Sequence, residues 1–361
     1  MIDHSRATGN DLGLMTNKLP VAMKASVYYR KGELEVEDRP VPELGDTDVL
    51  LEVDFCGVCG SDIHFVLEGW GQSGSIEGHE FSGRVVATGP KVKNWSIGDA
   101  AVGGPTPRCG VCNFCQSGRP SLCSGRSTPG VSVNADGAFA QYVRVSENLL
   151  LAIPDGLDTR GAALAEPLAV ALHGINRSGI LPGQRLLITG GGPIGALSIA
   201  AARARGIEDI VLSEPHAKRR KLGELLGAQV IAPEEMVVPT FPTEIIDNPF
   251  DAVLECSGNR RAMESGLAQL QRGGIMVLVG AGMEAPRFDS NRILLNELMI
   301  TGSFVYDPDG FERALEMLTT PGFPIELLIE PEAVPLEGLF DALESLARGD
   351  LAAKVMVTPN G

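Results

Sequence analysis

Basic residues are scarce in this chain. Its 30 Lys and Arg stand against 46 Asp and Glu, a formal net charge of −16. That balance disfavours nucleic acid and anionic membranes as partners, because both would repel it. Aromatic residues make up only 5 %, so the core has to be mostly aliphatic. No uninterrupted apolar run approaches the roughly 18 residues that a membrane span needs. Residues 1–22 hold His4, Arg6, Asp11 and Lys18 but no apolar block ahead of a small-residue cleavage site. They are expected to be a flexible extension rather than a secretory leader. Seven cysteines are an odd number, and a secreted disulfide scaffold of this length is a poor fit. Reduced thiols in the cytoplasm fit better.

What is there divides the chain in two. At 361 residues it is too long for one small core, and two or three domains are expected. From Met23 to about residue 150, short strand-like runs alternate with turn residues. Examples are Ala25–Tyr29, Leu34–Glu37, Asp48–Val53, Phe81–Thr88 and Gln141–Val145. This texture predicts a β-rich, partly open barrel. Within it, Cys109-x2-Cys112-x2-Cys115-x7-Cys123 lies in a lobe rich in Gly, Pro, Ser and Arg, residues 105–125. Four thiolates so close repel one another unless a cation holds them, and a closed four-cysteine zinc site resolves this. An iron–sulfur cluster also takes four cysteines, but nothing else in the chain points to electron transfer.

From about residue 177 the pattern turns to α/β. Arg185–Thr189 is a buried-strand run, followed at once by Gly190-Gly-Gly192-Pro193-Ile194-Gly195 and an alanine-rich helix to Arg205. A second strand, Asp209–Ser213, ends at Glu214. A glycine-rich turn between a strand and a helix, with an acidic residue about 20 positions on, is the dinucleotide-binding context. Gly190 serves the tight turn, Gly192 the approach of backbone to pyrophosphate, and Gly195 the packing of helix on strand. Glu214 accepts from ribose hydroxyls and repels a 2′-phosphate, favouring NAD over NADP. Lys218, Arg219 and Arg220 soften that preference and read as the solvated face of the next helix. Further strands are expected at Gln229–Ala232, Asp251–Cys256, Gly274–Gly280 and Met299–Phe304, with a helix over Arg260–Arg272. Helices follow at Asp309–Thr319 and Leu336–Arg348, then a last strand, Ala353–Thr358, in the first domain's sheet. Continuous apolar strands between helices make a doubly wound parallel sheet, a Rossmann domain.

The first half also carries Cys56-Gly-Val-Cys59-Gly-Ser61-Asp62-Ile-His64, closed by Gly78-His79-Glu80. Zinc takes thiolate, imidazole and carboxylate donors, and a catalytic site keeps three protein ligands and an open position. Cys59, His79 and Glu80 are the candidates; a redox or buried Cys-x-x-Cys beside an ordinary histidine is the other reading. Cys56 and Cys256 read as small packing residues, His173 as a core or interface histidine, and His4 and His216 as exposed.

Taken together, the two cysteine motifs, Gly78-His79-Glu80, Glu166-Pro-Leu168 and the glycine turn resemble the zinc-dependent medium-chain alcohol dehydrogenases. The resemblance covers Met23–Pro359. It is closest in Glu80 and Glu166 to the polyol, butanediol and threonine dehydrogenase branch. It implies a GroES-like catalytic domain, residues 23–176 and 306–361, and an NAD-binding domain, residues 177–305. It also implies two zinc ions per chain, one catalytic and one structural, with NAD as cofactor. Cys59 and His79 match the catalytic zinc ligands; Glu80 and Glu166 match the carboxylates that bind directly or through water. Asp62 would orient His79, Ser61 would take the hydroxyl proton of the substrate, and His64 would pass it to solvent. Relatives assemble as homodimers or homotetramers. Polyol relatives commonly carry arginine at the position of Val305, and valine cannot donate to a sugar hydroxyl. With Trp70, Phe139 and Phe304, it suggests a pocket for an apolar or cyclic secondary alcohol, oxidised to the ketone. A polyol-, butanediol- or threonine-type dehydrogenase is the alternative, and a non-catalytic zinc- and nucleotide-binding protein the alternative of another class.

Overall fold

The computed structural model describes residues 19–104, 109–124, 137–306 and 308–361. The expected N-terminal extension lies outside them as far as residue 18, as do residues 105–108 and 125 of the expected zinc lobe. Among the described residues, eight strands form the first half: β1 (Ala22–Arg30), β2 (Glu33–Pro40), β3 (Asp48–Gly57), β4 (Ser75–Ile76), β5 (Glu80–Thr88), β6 (Ala100–Gly103), β7 (Tyr142–Ser146) and β8 (Leu150–Ala152). All their pairings are antiparallel. β2, β1 and β4 make one sheet; β3, β5, β6 and β8 make the other, with β7 added on β3. The two enclose an aliphatic core of Ala25, Val27, Val49, Leu51, Val53 and Val85, with Phe81 and Phe139 among its few aromatics.

In the second half, β9 (Arg185–Thr189), β10 (Asp209–Ser213), β11 (Gln229–Ile231), β12 (Phe250–Glu255), β13 (Leu270–Leu278) and β14 (Met299–Gly302) form one sheet. Its order is β11-β10-β9-β12-β13-β14, all parallel, the doubly wound arrangement. Leu186 and Ile188 of β9 face one core, and Leu187 between them faces another. Covering on both faces is why the strand is apolar without interruption. The expected helix over Arg260–Arg272 ends at Leu267. Leu270 has already joined the sheet opposite Phe250, so the strand starts four residues earlier than the sequence pattern suggests. A last strand, β15 (Met356–Val357), returns to pair with β3 in the first half.

The basic run after Glu214 is only in part a solvated face: Lys218 is exposed, but Arg219 and Arg220 are half-buried. Arg219 donates from Nε to Leu351 O at 3.1 Å and from Nη2 to Leu346 O at 2.8 Å. Lys218 Nζ reaches Asp350 O at 2.9 Å, and His216 packs over Gly349, whose φ is +77°. The carbonyls belong to the end of the helix Leu339–Arg348 and the turn after it. Cations there complement the helix dipole and satisfy its free acceptors.

A Cβ at Gly195 would overlap Gly190 O, which is backbone and cannot swing away. Gly195→Ala is therefore expected to push the helix Pro193–Ala204 off the turn. The expected cost is about 1–3 kcal/mol in denaturant unfolding, with a matching loss of NAD binding by titration.

Candidate active site

Cys59 stands at the N-cap of the helix Gly60–Leu67, two residues beyond β3. His79 comes just before β5 and just after Gly78, whose φ of +96° only glycine adopts readily. Neighbours inside a strand point to opposite faces. The bend before β5 removes that restriction, and His79 and Glu80 both turn to Cys59. The thiol, a ring nitrogen and a carboxylate oxygen lie within 4.8 Å of one another. Glu166, on the helix Ala165–Ser178, is buried close by but is not in that group of three.

Asp62 is fully buried. Its Oδ2 accepts from Cys59 N at 2.8 Å, and its Oδ1 faces His79 Nδ1 at 4.0 Å. Burial pushes Asp62 up to about 7 against the pull of His79. Glu166 is likewise raised to about 7 by burial, with His79 again opposing. Burial alone would hold the His79 imidazole down, but Cys59, Asp62 and Glu166 around it carry it well above its ordinary value. Soft and hard anionic donors thus converge on one imidazole in a dry setting, a donor set that fits zinc.

Ser61 Oγ is buried with no hydrogen-bond partner. His64 Nδ1 lies 2.7 Å from Glu68 Oε2, one helical turn on, and its ring stacks on Trp70 at 5.1 Å. His64 and Glu68 form one wall of a cleft of about 510 Å³; Ser257–Asn259 and Ala281–Met283, after β12 and β13, form the other. Cofactors sit beyond the carboxyl ends of the strands in such sheets.

The glycine turn is braced from below. Gly191 N donates to Glu214 Oε2 at 2.6 Å and His216 N to Oε1 at 2.8 Å. Gly190, φ +94°, lies against Ser257. Gly192 caps the helix that Pro193 and Ile194 begin, so its free N–H groups face the place of a pyrophosphate. Cys109, Cys112, Cys115 and Cys123 also have sulfurs within 4.8 Å of one another. Backbone amides point at three of them, at 3.4–3.5 Å. The Cys115 amide is foremost in lowering Cys112 to about 5, while burial, with the neighbouring cysteines, raises Cys115 to about 12; Cys112 thus favours the thiolate, the form that binds metal.

Two expectations change. Phe139 does not line a pocket: it is 1 % exposed in the barrel core, its ring against Gly78. Lys354, read only as part of a last strand, is the partner of Glu80. Its Nζ donates to Glu80 Oε1 at 2.8 Å and to Val58 O at 2.9 Å. A lone lysine between Ala353 and Val355 was the signal for it; Glu68, four residues after His64, was another. Phe304 is 40 % exposed, and Val305 is nearly buried at φ +49°. Tyr306 is buried beside Gly104 and Glu166.

Among the described residues no helix is long and apolar enough to cross a membrane. Residues 45–155 match the alcohol dehydrogenase GroES-like domain and residues 193–320 the zinc-binding dehydrogenase domain. The chain is similar to a sorbitol dehydrogenase of Bacillus subtilis, 33 % identical over 359 residues, 96 % of this chain and all of that one. Among solved structures it resembles acetophenone reductase from Geotrichum candidum in complex with NAD (TM-score 0.83, 26 % identity, 94 % of this chain and 98 % of that one). It also resembles 2R,3R-butanediol dehydrogenase from B. subtilis (TM-score 0.82, 28 % identity, 94 % and 100 %). The chain belongs to the zinc-dependent medium-chain alcohol dehydrogenases, oxidoreductases that act on CH–OH groups with zinc and NAD.

Proposed function

We propose that this enzyme oxidises an apolar or cyclic secondary alcohol to its ketone with NAD. The carrying observation is the convergence of Cys59, His79 and Glu80 at the start of the helix that carries His64, which lines the cleft beyond the parallel sheet. Bound there, zinc would supply Lewis acidity toward the alcohol oxygen, and nicotinamide an acceptor for the hydride. Cys59, His79 and Glu80 hold the metal, with Glu166 directly or through water, and Asp62 fixes Cys59 and His79 in place. Ser61, whose hydroxyl lacks any other partner, takes the substrate proton. His64, with Nδ1 committed to Glu68, passes it to solvent from the other ring nitrogen. The four-cysteine lobe holds a second, structural zinc. Glu214 selects NAD over NADP.

On the substrate side, Phe304 and Val305 offer no hydrogen-bond donor, and Trp70 covers His64 with an aromatic face. Likeness to an acetophenone reductase supports this reading. The carboxylate pair Glu80 and Glu166 and the likeness to a sorbitol dehydrogenase favour the second reading, a polyol substrate. The free edge of β14 beside exposed Met299, Leu294 and Leu295 supports a homodimer or homotetramer. Among the described residues no cysteine is in a disulfide, which supports a cytoplasmic location. We assign residues 23–176 and 306–361 to the catalytic domain and 177–305 to the NAD domain.

Steady-state rates on 1-phenylethanol, cyclohexanol, sorbitol, butanediol and threonine separate the readings; a clear preference for sorbitol overturns the apolar pocket. Cys59→Ser is expected to lower metal content from about two zinc ions per chain to about one. Turnover should vanish and NAD binding stay nearly intact; a variant with unchanged turnover refutes the site. Ser61→Ala should lower kcat by about 10²–10⁴ with little change in NAD affinity. Glu214→Gln should cut kcat/KM for NAD about tenfold, roughly 1.4 kcal/mol, and narrow the gap to NADP.

A further inference from the structure

Lys354 is a buried ammonium at a metal site, and its surroundings decide what it does there. Its side chain is 1 % exposed and that of Glu80 0 %. Lys354 N donates to Leu328 O and Glu330 N donates to Lys354 O, both at 2.9 Å. Next along the chain, Val355 O accepts from Val58 N at 2.9 Å. The lysine is thus a fixed post rather than a swinging arm. It also donates to Val58 O, one residue before Cys59.

The two oxygens of Glu80 are not equivalent. Oε1 accepts a hydrogen bond from Nζ. Oε2 lies 2.7 Å from Nζ without hydrogen-bond geometry and is a buried oxygen with no hydrogen-bond partner. Such an atom is normally satisfied by protein, water or an ion. Gly57 opposite Glu80 leaves the room for Oε2, since a Cβ there would overlap it.

We infer that Lys354 is a positioning residue for the catalytic metal: it holds the Glu80 carboxylate, from within 2.8 Å of both oxygens, beside Cys59 and His79 as a ligand. The inference rests on the metal site proposed above and adds a residue from the far end of the chain. The opposite role, a cation that occupies Glu80 and competes with the metal, predicts effects of opposite sign.

The test compares metal affinity of the catalytic site in holoenzymes of the wild type, Lys354→Met, Glu80→Gln and the double variant. Affinity is read by competition with a chromophoric chelator. The cobalt-substituted visible spectrum reports the ligand set, and the four-cysteine zinc serves as internal control. Lys354→Met is expected to weaken catalytic-site binding about 10–100-fold and to shift the cobalt spectrum. In the Glu80→Gln background the same change should alter affinity less than about threefold, because Lys354 then has no carboxylate to place. Unchanged or tighter binding in Lys354→Met overturns the inference, as does a full effect in the Glu80→Gln background. If Lys354→Met does not fold, the double variant, which leaves no buried charge unpaired, still gives that second comparison. Retention of the metal by Cys59→Ser would instead overturn the site itself.

Discussion

A concentration of buried negative charge is the condition that the active site has to meet. Cys59, Asp62, Glu80 and Glu166 surround a single imidazole, and Asp62, Glu80 and Glu166 are almost wholly out of water. Buried charges cost several kcal/mol each unless paired and hydrogen-bonded. The protein supplies the Lys354 ammonium and a His79 imidazole raised well above its ordinary value, and directs the Cys59 amide at Asp62. A divalent ion held by Cys59, His79 and Glu80 would take over the positive charge and leave the imidazole neutral as a ligand. At the proposed site, metal binding would therefore be part of the folding balance of the barrel as well as a requirement of the chemistry.

The same logic extends to the seam between the two halves. Arg219 rests against the glycine turn, within 3.3 Å of where a Cβ of Gly191 would stand, and holds carbonyls of the C-terminal segment. Burial lowers Arg219, with Glu214 opposing. Three residues beyond its acceptor Leu351 comes Lys354. The segment that meets the nucleotide end of the cleft therefore continues directly into the residue that grips Glu80.

Much of this was legible in the sequence because the motifs are local. A strand, a glycine turn, a helix and an acidic residue lie within 30 positions, so their chemistry is written in one line. Cys59, Ser61, Asp62 and His64 share one helix start for the same reason. Lys354 was not legible: it lies 274 positions from Glu80, and its pairing depends on β15 returning to β3. Arg219 was misread because its acceptors are backbone carbonyls more than 120 residues away, and carbonyls leave no trace in composition. Phe139 was placed in the pocket by the same weakness, since aromatic character does not say which face of a barrel a ring takes.

The glycines of the metal motifs show what such a reading passes over. Gly57 and Gly78 of those motifs, and Gly104 beside Glu166, act through the side chain they lack. Gly57 leaves the space that Glu80 Oε2 occupies, with Lys354 Cδ 3.2 Å from where a Cβ would stand. Gly78 has a backbone angle that turns His79 toward Cys59, and Phe139 and Cys56 close under it at 2.8–2.9 Å from the missing Cβ. Gly104 makes room for Tyr306, whose hydroxyl would come within 2.6 Å of a Cβ there, beside Glu166. Each glycine is a cavity already filled by a functional neighbour. An alanine at any of them would displace a ligand or its support before it touched solvent, which is why ligand types and glycines recur together in these motifs. Donors alone do not make the site; the empty positions that let buried donors converge are an equal part of it.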